Sequence, residues 1–167
     1  METKHNKTDF YEDIQKGKIG ENIFKEDFLD FLQVKYQDVT NRQAFQIIDS
    51  DFLTKIGLYE IKTNYKDNEI LIFEDYTNYN KELGKISLGW IYKTKADLVI
   101  FISKTTRKMI FLPMTEKFKN HYSFIRKNTN LITNQITIKD NNKWQSAFRK
   151  VPFKLLEGYI SVYEKLF

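Results

Sequence analysis

The chain predicts an α/β fold, a mixed β-sheet flanked by helices, on three observations. An amphipathic helical stretch opens the chain, a continuous β-branched run lies near its middle, and shorter strand-like runs separated by turn residues surround that run. In the opening stretch, residues 8–34, Phe10, Ile14, Ile19, Ile23, Phe24, Phe28, Phe31 and Leu32 recur at roughly helical spacing, with Asp9 and Glu12 near the start. Gly17 and Gly20 are the points where this helix would divide in two. Residues 44–52, 58–63 and 69–73 read as three strands joined by turn-like segments at 55–57 and 64–68, the pattern of an antiparallel meander. Residues 83–95 read as a loop with a short helical turn. The run 96–102 (Ala-Asp-Leu-Val-Ile-Phe-Ile) has the composition of a strand covered on both faces and is the expected sheet centre. A strand over 108–114, ended by Pro113, a helix over 116–127, an alternating strand over 131–138 and a terminal helix over 152–167 with Pro152 at its start complete the reading.

At 167 residues, with 41% hydrophobic and 16% aromatic residues, six glycines and two prolines, the chain has the profile of one globular domain. The expected division is a core over about 17–114 and a basic, helical extension over 115–167. The sequence contains no cysteine, so disulfides, zinc ribbons and thiol nucleophiles are excluded. Its two histidines, His5 and His121, match no zinc-ligand spacing, so a bound metal is expected to take oxygen ligands. A polar N-terminus and the lack of a membrane-length apolar run suit a cytoplasmic protein with no membrane partner. The net charge of +5 is unevenly spread. Residues 1–103 carry fourteen Lys and Arg against eighteen Asp and Glu, whereas residues 104–154 carry twelve against two. An acidic front half suits a cation site, and a basic segment suits a polyanion track.

The chemistry-bearing motif is Glu60-Ile61-Lys62 within the strand-like run 58–63, preceded by Asp49-Ser50-Asp51. Strand side chains alternate, so Glu60 and Lys62 project together while Tyr59 and Ile61 turn the other way. A carboxylate and an ammonium kept on one face among apolar neighbours need partners or ions, and acids on adjacent strands are suited to a hard divalent cation. The lysine would then stand beside a scissile phosphate, as metal-dependent phosphodiester cleavage requires.

The order helix, strand with acid, strand with Glu-x-Lys, then further sheet and helix resembles the PD-(D/E)XK nuclease superfamily, including its phage-type and junction-resolvase-like members. The resemblance covers residues 17–102. It rests on Glu21 in Gly17-Lys18-Ile19-Gly20-Glu21, on Asp51 in Ile47-Ile48-Asp49-Ser50-Asp51-Phe52, on Glu60 and Lys62, and on Gly89-Trp90 with Lys95-Ala96-Asp97-Leu98-Val99. No proline precedes the acid, and a second Glu-x-Lys occurs at Glu2-Thr3-Lys4 without apolar flanks. The resemblance implies a restriction-endonuclease-like core acting on DNA. It also implies Mg²⁺ or Mn²⁺ held by Asp51, Glu60 and the Ile61 carbonyl, with Glu21 assisting directly or through water; Asp49, on the same face as Asp51 in an ideal strand, is either a second ligand or a solvated edge residue. Lys62 would orient or deprotonate the attacking water.

Lys93, Lys95, Arg107, Lys108, Lys117, Lys119, Arg126 and Lys127 are the candidates for phosphate contact. Two alternatives stay open. One is a DNA-binding or partner-binding module that cleaves nothing on the same fold. The other is a homodimer formed through Leu155, Leu156, Tyr159, Ile160 and Leu166 of the expected terminal helix, residues that would equally cap a monomer's core.

Overall fold

The computed structural model describes residues 7–80, 84–139 and 142–164. It is a mixed α/β structure with two sheets. Helix α1 (Lys7–Phe24) runs without a break at Gly17 or Gly20 into a π-helical turn, Lys25–Asp30. Strand β1 (Tyr36–Asp38), a one-turn helix α2 (Gln43–Gln46) and β2 (Phe52–Thr54) follow. Next come β3 (Gly57–Tyr65), β4 (Ile70–Asn80), β5 (Lys85–Leu88), the short helix α3 (Trp90–Lys93), β6 (Leu98–Ser103) and β7 (Met109–Pro113). Helix α4 (Glu116–Lys127), β8 (Leu131–Lys139), β9 (Asn142–Pro152) and β10 (Ser161–Tyr163) complete the order. The first sheet has six strands in the order β1-β2-β3-β6-β7-β10, and the second has four, β5-β4-β9-β8.

Strand β6 is the centre of the first sheet, as its composition demands. It lies parallel to β3 and antiparallel to β7, and residues 99–103 are buried. Its alternating side chains feed two cores. Ile100 and Ile102 join Tyr59, Ile61, Met109 and Phe111 beneath Ile23, Phe24 and Leu29 of the opening helices. Val99 and Phe101 join Ile110 and Leu112 against Phe118, Tyr122 and Ile125 of α4 and Leu71 and Phe73 of β4. Fully burying each such side chain contributes about 1.5–3 kcal/mol. Helix α4 starts where Thr115 Oγ1 accepts from the Phe118 amide at 3.2 Å, and a cap of this kind is worth about 1 kcal/mol.

Several sequence expectations give way to long-range pairing. Residues 44–52 are not a strand. Gln43–Gln46 form a helical turn, Asp49 has a positive φ of 47°, and pairing begins only at Phe52, because the turn at Lys55 and Ile56 sets the register Phe52 with Tyr59 and Thr54 with Gly57. The meander also fails. Strand β4 leaves β3 for the second sheet, and the doubly covered β6 takes the place beside β3. Part of 83–95 is strand β5, which pairs with β4. Strand β9 carried no clear signal because polar residues such as Gln145, Ser146, Arg149 and Lys150 interrupt its apolar alternation.

The expected terminal helix is a 3₁₀ turn (Phe153–Leu155) followed by β10, which pairs with the edge of β7. Gly158, at φ 77°, takes the left-handed conformation that separates them. Leu156 is fully buried, and Leu155, Tyr159 and Ile160, partly buried, pack against the core. Of the apolar residues assigned to the opening helix, Ile14, Ile19, Phe31 and Leu32 are exposed. No helix among the described residues is long and apolar enough to cross a membrane. Glu2, Lys4, His5, Leu83 and Leu166 lie outside the described residues. His121 has a structural setting: its Nε2 is 2.9 Å from the Leu155 carbonyl oxygen and its ring stacks on Tyr159.

Candidate active site

Glu60 and Lys62 share the face of β3 that continues into Val99 and Phe101 on β6, opposite to Tyr59 and Ile61. Glu60 is only 6% exposed, and the Lys62 ammonium donates to its Oε1. The same ammonium lies 5.5 Å from the centre of the Trp90 ring. Trp90 reaches that place because Gly89 lets α3 approach β4: a Cβ at Gly89 would stand 2.0 Å from the Glu74 carbonyl oxygen. The Gly89 amide donates to the Asp75 carbonyl at 2.8 Å, and Trp90 packs edge-on against the stacked pair Phe73 and Phe101.

Asp51 precedes β2 by one residue. Its amide donates to the Tyr59 carbonyl at 2.8 Å, and its Oδ2 accepts from the Ile61 amide at 2.7 Å. That contact locks the carboxyl beside the Glu-x-Lys segment. The opening helix supplies Glu21 through another close approach: a Cβ at Gly20 would stand 1.7 Å from Thr63 Cγ2, so only glycine lets α1 lie this tightly on β3. Asp49, in the positive-φ turn, has a buried Oδ2 with no hydrogen-bond partner, 3.7 Å from Lys93 Nζ. Thr94 Oγ1 donates to the Asp49 carbonyl at 3.0 Å and fixes this turn against the α3–β6 connection.

Electrostatics bind these groups into one cluster. Burial first, and then the Glu60 charge, push the Asp51 carboxyl up to about 8, against the opposing Ile61 hydrogen bond. Burial also raises Glu21, with Asp38 and Glu60 adding to it. For Lys62, burial pulls down, but Glu60, by charge and hydrogen bond, together with Asp49 and Asp51, outweighs it and holds the ammonium above its ordinary value. With its ammonium held above its ordinary value, Lys62 is suited to orienting and stabilising an anion. Among the described residues, no three His, Cys, Asp or Glu side chains are grouped to hold a metal ion. Mg²⁺ needs less than that, since one or two carboxylates with waters and substrate phosphates normally hold it. The Asp49 oxygen that lacks a hydrogen bond and the crowding of Asp51 and Glu60 are compatible with such a cation.

The expected phosphate contacts divide. Arg107, at φ 58°, is held by Asp27 and by Glu26 at 3.2 Å. Lys108 Nζ pairs with Glu164 at 2.5 Å and Lys119 with Glu116 at 3.1 Å. Lys117 sits over the Tyr159 ring at 5.7 Å, and Lys127 is exposed. Arg126 Nε is 3.9 Å from Asp75 Oδ2, over the Tyr92 ring at 6.0 Å. Lys93 faces Asp49, and Lys95 is exposed while its amide bonds to the Ile48 carbonyl. Sequence reasoning missed the buried cluster of Asp75, Tyr122 and Arg149: Tyr122 Oη and Arg149 Nε, the latter at 2.9 Å, both donate to Asp75. No short-range pattern signals it, because the three come from β4, α4 and β9.

No family model, curated protein or solved structure matches the chain.

Proposed function

We propose that this chain is a metal-dependent deoxyribonuclease, an endonuclease of the restriction-endonuclease-like kind, serving DNA recombination, repair or restriction. One observation carries the reading: Asp51 and Glu60 lie on neighbouring segments of the sheet with Lys62 on the same face as Glu60, and Glu21 and Asp49 come in from separate elements. Packing alone does not call for like-charged carboxyls around one lysine, and their crowding is costly without a cation.

Asp51 and Glu60 would hold the ion with the Ile61 carbonyl, and Glu21 and Asp49 would support it directly or through water. A bound Mg²⁺ or Mn²⁺ supplies Lewis-acid polarisation of a phosphoryl oxygen and a water of lowered pKa. Lys62 would place its ammonium against the scissile phosphate and offset the charge that develops there. Trp90 limits where that ammonium travels, since it lies against the ring.

The present ion pair of Lys62 with Glu60 favours one competing reading, a DNA-binding or partner-binding module that cleaves nothing. One assay separates them. Supercoiled plasmid, linear duplex, single strand and a four-way junction are incubated with the protein in Mg²⁺, Mn²⁺, Ca²⁺ or EDTA. Cleavage confined to Mg²⁺ and Mn²⁺, and lost in Glu60→Ala and Lys62→Ala, supports the nuclease. Binding with no cleavage under any condition supports the module, and full cleavage in EDTA sinks the metal scheme.

A further inference from the structure

We infer that the groove between β3 and the outward face of the second sheet binds a single, unpaired nucleic-acid strand and feeds it to Lys62. This rests on the nuclease reading for the chemistry at Lys62, but not for the binding itself. The groove is open, about 1200 Å³ in volume, and Lys62 lines it, so it is continuous with the candidate active site. Its wall follows from strand alternation. On β4 and β9, Leu71, Phe73, Ala147 and Val151 turn to the buried side, which leaves Ile72, Phe148 and Lys150 on the groove side. Ile132 stands opposite Phe148, and Ile72 opposite Lys150, in the register of the sheet. The result is a half-buried apolar strip with no covering element among the described residues.

Around that strip stand Lys66, Lys104 and Lys150, all exposed. None of the three is held in an ion pair among the described residues, unlike Arg107, Lys108 and Lys119. The two acids of the groove are engaged: Asp67 accepts from the Ser103 and Thr106 hydroxyls, and Glu74 accepts from Thr77 at 3.2 Å. With Lys62, Lys66, Lys104 and Lys150 against Asp67 and Glu74, positive charge outnumbers negative in the groove while apolar surface forms the wall. An intact duplex would present only its phosphates and leave the wall without a partner. A single strand matches both, with its phosphates on the lysines and its base faces on Phe148 and the isoleucines, because every base has an apolar π-face.

The test is fluorescence anisotropy in EDTA, where nothing is cut, with a labelled thymidine-only single strand and a hairpin duplex of equal nucleotide count. The single strand should bind more tightly. A triple Lys66→Ala, Lys104→Ala, Lys150→Ala variant should reduce the log–log salt slope by about 2, at about 0.7 for each phosphate of a single strand that the protein ceases to neutralise. Phe148→Ala should weaken binding roughly 5- to 150-fold, the range for removing one stacked base. Phe148→Leu, which keeps apolar volume, controls for folding and should recover only part of the affinity. A triple Lys117→Ala, Lys119→Ala, Lys127→Ala variant on α4 should bind like wild type. Tighter duplex binding, an unchanged slope in the groove variant, or weakening confined to the α4 variant would overturn the inference. The two readings fail separately: cleavage without single-strand preference removes the groove, and groove-dependent binding without cleavage in Mg²⁺ or Mn²⁺ removes the nuclease.

Discussion

Two charged sites in this molecule, one around the buried Asp75 and one around the half-buried Lys62, solve the same electrostatic problem in opposite ways. Asp75 is 0% exposed, and both its oxygens are matched: Tyr122 Oη donates to Oδ1, Arg149 Nε donates to Oδ2, and Arg126 stands near. Arg149 Nη1 in turn donates to the carbonyls of Arg126 at 3.1 Å and Thr129 at 2.5 Å, tying the end of α4 to the second sheet. Every charge there has a fixed protein partner. Around Lys62 the balance is reversed: Glu60, Asp51 and Glu21 lie within electrostatic reach of one another, Asp49 acts on the same lysine, an Asp49 oxygen has no hydrogen bond and only Lys93 at 3.7 Å, and the Asp51 carboxyl is pushed up to about 8. The first arrangement is complete and joins elements of structure. The second is incomplete within the protein, and that is the condition a cation-binding, anion-processing site has to meet.

If that contrast is right, the largest effect on stability belongs to the closed cluster. Asp75→Ala leaves Arg149 buried without its counter-charge and should cost about 3–5 kcal/mol, read as a drop in the denaturant midpoint. A change below about 1 kcal/mol would mean that solvent or a neighbour replaces the carboxylate.

The open cluster should respond in activity instead. Asp51→Ala, Glu60→Ala and Lys62→Ala should each lower cleavage by about 10²–10³-fold or more, with circular dichroism like that of wild type. Glu21→Ala should fall less. Wild-type rates in both Glu60→Ala and Lys62→Ala would place the chemistry elsewhere on the fold.

A pH experiment sharpens the same comparison. Asp51 titrates near 3.8 when unperturbed and near 8 in the folded protein, so the folded state binds the extra proton between those values. Stability from this group is therefore lost as pH rises from about 4 to about 8, and Asp51→Asn should remove that dependence. In thermal melts without metal, the advantage of the variant over wild type should grow across that window. Added Mg²⁺ should raise the melting temperature of wild type and not of Asp51→Asn. A variant that is less stable than wild type at pH 8 would show that the Ile61 hydrogen bond outweighs the crowding. The smallest effect is expected on α4, where Lys119→Ala removes an exposed pair with Glu116 and should change stability by less than about 1 kcal/mol.

Legibility in the sequence tracked the range of the interaction. The Glu60 and Lys62 pair was readable because alternation along one strand puts them on one face, and Asp51 was readable because a two-residue turn returns the chain beside them. Asp49 was misplaced as a strand residue because nothing local announces that pairing starts only at Phe52. The basic residues were misjudged for a similar reason: Arg107 reads as a phosphate ligand until the fold sets Glu26 and Asp27 against it, eighty residues away in the chain.

By itself the sequence determined that the fold is α/β, that the run 96–102 marks its buried centre, that residues 116–127 form a helix, and that an acid and a lysine share one face of β3. These follow from periodicity and local propensity, which act over a few residues and leave a visible pattern. Only the tertiary structure decided that β4 would desert β3 for a second sheet, that residues 161–163 would pair with β7 rather than form a helix, and that Asp75 would be neutralised from α4 and β9. Those outcomes depend on which open edge or buried charge a distant segment meets, and hydrogen-bonding edges and counter-charges are matched across space, where spacing along the chain carries no record of them.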